Sequence, residues 1–197
     1  NQSGEGDIRR ALIEADLVLD LARRIEGRLV ALGVTVALTR MHGDGGDDIA
    51  RADLANSHDA DLVVSLHADA APDPAAHGIS TYYYGTDRFG AWSVVGEHLA
   101  ELLLRELTAR TGMVDCRSHA RGSALLQRTR MPAVRVEIGH PSNEQDAAAL
   151  ADAVTRDAMA EGVVVAIQRL YLGDDDAVRT GVFRLSELRA FMADLAG

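Results

Sequence analysis

Lysine is absent from this chain. All twenty basic residues are arginine, set against thirty acidic ones, and the formal net charge is -10. That balance excludes general nucleic-acid binding through a basic surface and docking on anionic lipid by charge alone. It leaves room for a polymer with neutral or positive groups. The uniform use of arginine reads first as a compositional bias of the genome and only second as anion recognition. Cysteine is nearly absent too. The single Cys116 excludes an internal disulfide and a cysteine-only metal cage, and it fixes no compartment. No apolar run is long enough to span a bilayer. No secretory leader and no internal repeat are read in these residues, and the abrupt opening at Asn1-Gln2-Ser3-Gly4 suggests a natural start further upstream.

What remains is an ordinary globular composition. The 197 residues are 47% hydrophobic, which fits one domain with a sizeable core. Residues 1–8 read as a loop. A helix is expected from about Glu14 to Leu32, because Leu17, Leu21, Ile25 and Leu29 recur every four residues and Gly33 suits its end. Residues 34–39 form a β-branched strand candidate, residues 41–48 a glycine- and aspartate-rich loop, and residues 49–57 a second helix. Residues 62–66 are continuously apolar, as in a central parallel strand. Residues 79–84 read as a strand whose three tyrosines suit an edge or half-exposed position. A long helix over 91–110 follows, then strand candidates at 125–127 and 133–138. Ser142 with Gln145 predicts a capping box, and residues 155–171 a last core helix. Strands alternating with helices predict an α/β fold: a single open, mostly parallel twisted sheet with helices on both faces. The domain spans 1–172. Residues 173–197 form an acidic linker and a short amphipathic helix, capped by Ser186 and carrying Leu188, Phe191, Met192 and Leu195, suited to packing on the domain or on a partner.

Two apolar runs end on chemically capable residues: Ser65-Leu66-His67-Ala68-Asp69 and Glu137-Ile138-Gly139-His140. Sites of open α/β sheets gather at the carboxyl ends of strands. His67 is a candidate metal ligand, although histidines that end apolar strands also occur as satisfied core residues. Glu14 precedes Leu17 on the apolar stripe. It is either a first-turn carboxylate that favours the helix dipole or a buried carboxylate in need of a cation. Together Glu14 and His67 supply two ligands of an open zinc site with three protein ligands. Glu137 is the candidate general base. Arg135, two residues back on the same strand face, offers it an ion pair that is expected to lower its pKa. His140 lies close enough to line the same mouth. His42, His58, His77, His98 and His119 read as surface residues.

With these residues in place, the chain resembles the type 3, zinc-dependent N-acetylmuramoyl-L-alanine amidases over roughly residues 1–172. The resemblance rests on ordered features: Glu14-Ala15-Asp16 opening a helix, Leu38-Thr39-Arg40 closing a strand, Arg51 with Ala55-Asn56, the zinc-histidine signature at Ser65-Leu66-His67-Ala68, and Met131-Pro132-Ala133-Val134 leading to Glu137 in Glu137-Ile138-Gly139-His140-Pro141-Ser142-Asn143. The departures are specific. The family's first zinc ligand, a His in a Gly-His-Gly-Gly turn after an N-terminal strand, has no counterpart in this sequence, and truncation is the favoured explanation. Asp69 stands for a usual Asn, His140 for a usual Phe and Arg135 for an apolar residue.

The resemblance implies a reaction: zinc-dependent hydrolysis of the amide between N-acetylmuramic acid and L-alanine in peptidoglycan, an autolysin activity of the cell envelope or a secreted protein. It implies Glu14 and His67 as metal ligands, Glu137 as catalyst, Zn2+ as cofactor and a muropeptide as substrate, with Tyr82, Tyr83 and Tyr84 either packing an edge strand or bordering the groove. Arg110-Thr111-Gly112, Asp115-Cys116-Arg117 and Arg169-Leu170-Tyr171-Leu172 are also similar to an actinobacterial cell-wall regulator. That relative carries an amidase-like domain with replaced metal and catalytic positions and acts by binding partners. A non-catalytic regulator of cell-wall synthesis or a peptidoglycan-binding module is therefore the alternative, cytoplasmic in the regulator's case, and a different zinc hydrolase is a third reading. Neither nucleic acid nor a transmembrane segment belongs to any of them.

Overall fold

The computed structural model describes residues 2–39, 46–86 and 90–172, with side chains in the first helix from Ala15 onward. The element order is α1 (Gln2–Ala31), α2 (Asp48–Ser57), β1 (Val63–His67), β2 (Ile79–Thr86), β3 (Ala91–Trp92), α3 (Val94–Thr111), β4 (Asp115–Arg121), α4 (Ala124–Arg128), β5 (Ala133–Glu137), α5 (Glu144–Ala151) and α6 (Ala153–Leu172). The strands form one open sheet in the order β1-β5-β2-β3, with β4 also paired to β2. The α/β class holds, and the pairing is mixed: β1–β5 and β2–β4 are parallel, β2–β5 and β2–β3 antiparallel. β2 is thus an interior strand with half-buried tyrosines rather than an edge.

One sheet face holds the core. Val64, Leu66, Val134, Val136, Ile79 and Thr81 lie there against α3, α6 and α1. Helix α1 contributes the stripe read from the sequence: Leu21 is fully buried, and Ile25 and Leu29 are 7% exposed. Its last turn closes in a Schellman arrangement. The Val34 amide reaches the Leu29 carbonyl at 3.0 Å and the Gly33 amide the Val30 carbonyl at 2.9 Å, with Gly33 at φ 83°. Arg24 and Arg28 tie α1 to Asp157 of α6, and Arg156 of α6 returns to Asp20.

Several expectations are corrected. Helix α1 already runs from Gln2, so residues 2–8 are not a loop; Gln2, Glu5, Arg9, Arg10, Ala11 and Leu12 favour helix and outweigh Gly4 and Gly6. Residues 34–38 run extended, with Val34, Val36 and Leu38 half-buried and Thr35 and Ala37 exposed. They pair with no strand among the described residues, so the alternation is that of a strand without its ladder. Residues 125–127 are helical: Ser123 caps α4 by accepting the Leu126 amide. Asn143, not Ser142, caps α5, accepting the amides of Gln145 and Asp146 at 3.0 and 3.2 Å. The linker and helix expected in 173–197, the loop centred on 41–45 and the side chain of Glu14 lie outside the described residues.

Strand β4 contains a bulge. Ile79 faces Asp115, yet Thr81 faces Ser118, so one extra residue enters between them. Arg117 takes it up at φ 73°, a left-handed conformation that costs a side-chain-bearing residue about 1–2 kcal/mol.

Candidate active site at the strand ends

The face opposite the core is polar. Side chains directly opposite in register share a face. His67 at the tip of β1 therefore stands beside Glu137 at the tip of β5, and Glu137 beside Ser80 on β2. One step down the strands, Ser65, Arg135, Tyr82 and His119 form a second row across β1, β5, β2 and β4. The two chemically capable strand ends are brought together as expected.

Glu137 is 4% exposed and firmly held. Its Oε1 accepts the Asp69 amide at 2.6 Å, and Arg135 Nη2 donates to its Oε2 at 3.3 Å. The same Nη2 bonds the Asp69 carboxylate. The expectation that Arg135 lowers the Glu137 pKa is only half of the balance. Burial raises it first, and the Asp69 charge adds to that. The Asp69 amide and Arg135 oppose them, and the net direction is upward. Glu137 thus holds its proton more tightly than an ordinary carboxyl, as a group that takes and returns a proton should. Arg135 Nε is a buried donor without an acceptor among the described residues. Such a group costs about 1–3 kcal/mol unless something satisfies it.

The His67 imidazole is pushed down to about 4, by burial first and then by the Arg135 guanidinium, with Asp69 opposing. Its Nε2 shares a hydrogen bond of 3.0 Å with Ser65 Oγ, and its Nδ1 lies 4.0 Å from Asp69 Oδ2. The charges of Asp48 and Arg51 at the start of α2 also reach it. A base whose proton leaves near 4 when folded and near 6.5 when unfolded makes stability rise with pH between those values. That stability, at most roughly 3 kcal/mol, is present above the unfolded value and lost as pH falls through the window. Glu137, with its raised pKa, has the opposite slope. His67→Gln is therefore expected to flatten the fall in melting temperature between neutral pH and about pH 4.5. Equal slopes in thermal melts of variant and wild type would show that the imidazole is not held neutral by the fold.

The loops after β1 and β5 are laced together. Ala71 donates to Ser142 Oγ at 3.0 Å, His140 Nδ1 to the Asp69 carbonyl at 2.8 Å, and Asn143 Nδ2 to the Pro74 carbonyl at 3.0 Å. Asp146 of α5 was missed in the sequence. It is 3% exposed, and its Oδ2 accepts the amides of Gly78 and His140, both at 2.8 Å. Gly139, at φ 128°, makes the turn that brings the His140 amide there; a β-carbon on it would lie 3.2 Å from Asp146 Oδ2. The only sequence signal was an acidic residue in the first turn of a capped helix. Asn56 has a similar bracing role: it donates to the Arg128 carbonyl and accepts the Arg130 amide, joining α2 to the approach of β5.

Among the described residues, no three His, Cys, Asp or Glu side chains lie close enough to hold a metal ion by themselves. The donor that is described suits one position of such a shell, since a neutral imidazole is the form that ligates metal. Glu14 belongs to α1, and the position of its side chain lies outside the described residues.

An open α/β sheet with a helix-packed core face, and with a buried carboxylate beside a neutral imidazole at its strand tips, has the layout of a domain that binds its ligand at the strand ends. Comparison with known proteins narrows this. The chain belongs to the N-acetylmuramoyl-L-alanine amidase family, whose model matches residues 1–169. It is 43% identical over 177 residues to the N-acetylmuramoyl-L-alanine amidase CwlM of Mycobacterium tuberculosis, which covers 90% of this chain and 43% of that protein. It is 30% identical to the amidase LytC of Bacillus subtilis over 80% of this chain and 31% of that protein. The chain thus spans less than half the length of either relative. The catalytic domain of the amidase CwlV from Bacillus (Paenibacillus) polymyxa superposes with a TM-score of 0.71 at 25% identity, covering 79% of this chain and 83% of that one. No helix among the described residues is long and apolar enough to cross a membrane.

Proposed function

We propose that this domain hydrolyses the amide between N-acetylmuramic acid and L-alanine in peptidoglycan, in the cell envelope or outside the cell. The observation that carries the reading is the imidazole of His67, held neutral by burial, set in register beside the buried carboxylate of Glu137. Family membership and the amidase names of the relatives support it. His67 and Glu14 are the proposed zinc ligands. Zinc held there would supply a Lewis acid for the scissile carbonyl and for the attacking water. Glu137 then accepts a proton from the attacking water as the new C–O bond forms. It returns that proton to the alanine nitrogen as the C–N bond breaks, so the carboxylate is regenerated. The Asp69 amide holds Glu137 Oε1 in place through this transfer, and Arg135 steadies Oε2 while its charge is present.

One observation favours a second reading. Arg135 engages both Asp69 and Glu137, so a guanidinium already balances the two carboxylates of the mouth. A domain that binds wall fragments or a cell-wall synthesis partner without cutting them is consistent with that pairing. Incubating the full-length protein with zinc and purified muropeptide separates the two. Release of free stem peptide, together with zinc uptake that falls at least tenfold in His67→Ala, is the expected result. Intact muropeptide in the presence of bound substrate and full zinc would leave the binding reading alone standing.

A further inference from the structure

Apart from Arg135, the second row of the polar face has no part in the chemistry just described, and its composition runs against that of the chain. The protein is acidic overall, yet this row and its edge carry Arg135, His119 and Arg121 around Tyr82. Arg121 lies over the Tyr82 ring, 5.0 Å from its centroid, and makes no ion pair among the described residues. His119 stands 5.6 Å from the same ring on the other strand register and is steadied by the Cys116 carbonyl, to which its Nε2 donates at 2.8 Å. The β4 bulge is what puts them there. Were the same residues paired regularly through Arg117, the alternation would turn His119 and Arg121 toward the core face and leave Ser118 and Ala120 outside. With it, Ser118 turns inward to meet Thr81 at 2.7 Å, and the two larger polar side chains stand on the face of Glu137. A strained backbone residue is retained where it re-aims side chains beside a candidate site.

We infer that Tyr82 and His119 of this row, with Arg121 lying over the Tyr82 ring, form a subsite for a carboxylate on the stem peptide of a muropeptide. The inference rests on the amidase reading for the identity of the ligand. Three features support it. The Arg121 guanidinium, which makes no ion pair among the described residues, is complementary to an acidic peptide. Tyr82 supplies a flat surface under that guanidinium, so a peptide backbone can lie on it while its carboxylate meets Arg121. The spacing is right: adjacent rows on one face are two residues apart, or roughly 6–7 Å, and an extended peptide advances by that distance in two residues. An amide bond over His67 and Glu137 therefore brings the second residue of the stem over this row.

Binding, rather than turnover, tests the subsite. Titration calorimetry would compare the full-length protein with two muropeptides that differ only in whether the carboxylate of the second stem residue is free or amidated. The free acid is expected to bind at least fivefold more tightly at low salt. Arg121→Gln is expected to remove most of that preference while shifting the affinity for the amidated ligand less than twofold. Equal affinity for the two ligands, or an undiminished preference in Arg121→Gln, would overturn the subsite even if the protein cleaves both. A preference that depends on Arg121 in a protein that cleaves neither would keep the subsite and remove the amidase reading.

Discussion

Glu137→Gln is expected to lower amide cleavage of muropeptide by about a thousandfold, the middle of the range for loss of a positioned general base. The substitution is nearly isosteric. The glutamine carbonyl oxygen can still accept the Asp69 amide that now bonds Oε1 at 2.6 Å, so the loop after β1 keeps its anchor. What disappears is the capacity to hold a proton between water and the leaving nitrogen. Zinc content should stay at the wild-type level, because the proposed ligands are elsewhere. Single-turnover release of stem peptide, measured with metal content on the same samples, gives the answer. A loss smaller than tenfold would remove Glu137 from proton transfer and assign the work to another group.

Asp146→Ala is expected to destabilise the fold by about 3 kcal/mol. Two amides, those of Gly78 and His140, converge on the single oxygen Oδ2 from opposite sides of the site. Each would be left in a buried place without an acceptor, at about 1–3 kcal/mol apiece. For a domain of this size that corresponds to a melting temperature lower by about 6–12 °C. Asn is the informative control. Because one oxygen serves both donors, its carbonyl can retain both bonds, and Asp146→Asn should recover more than half of the loss. Equal melting temperatures for Asp146→Ala and wild type in calorimetry would show that water replaces the carboxylate. Since His140 also reaches the Asp69 carbonyl, the alanine variant should loosen the loop that carries the Glu137 contact as well.

How much of this was legible in the sequence depends on how the residues announce themselves. The tips of β1 and β5 were readable because continuous apolar runs end abruptly on His67 and Glu137, and parallel pairing then sets them side by side. The α1 stripe was readable from its spacing. β4 was not: Asp115-Cys116-Arg117-Ser118-His119-Ala120-Arg121 has no apolar run, and the bulge interrupts the two-residue alternation that would have revealed it. Helix α4 was hidden for the opposite reason, since three residues with apolar leucines look alike as strand or helix until Ser123 is seen as a cap. The sign of the Glu137 shift needed burial as well as the neighbouring charge, and burial cannot be counted along a sequence. Asp146 shows the same gap: its residue type was visible, its two distant donors were not.

The single left-handed residue in β4 also bears on how this stretch can change over time. Pairing all seven residues of the strand regularly would send an arginine and an imidazole into the oily interior and expose a serine and an alanine in their stead, whereas losing the extra residue would leave the outward face as it is. A relative one residue shorter at this point is therefore expected to keep the same outward face on an unbroken strand with no left-handed residue, whereas one residue more would call for a second bulge.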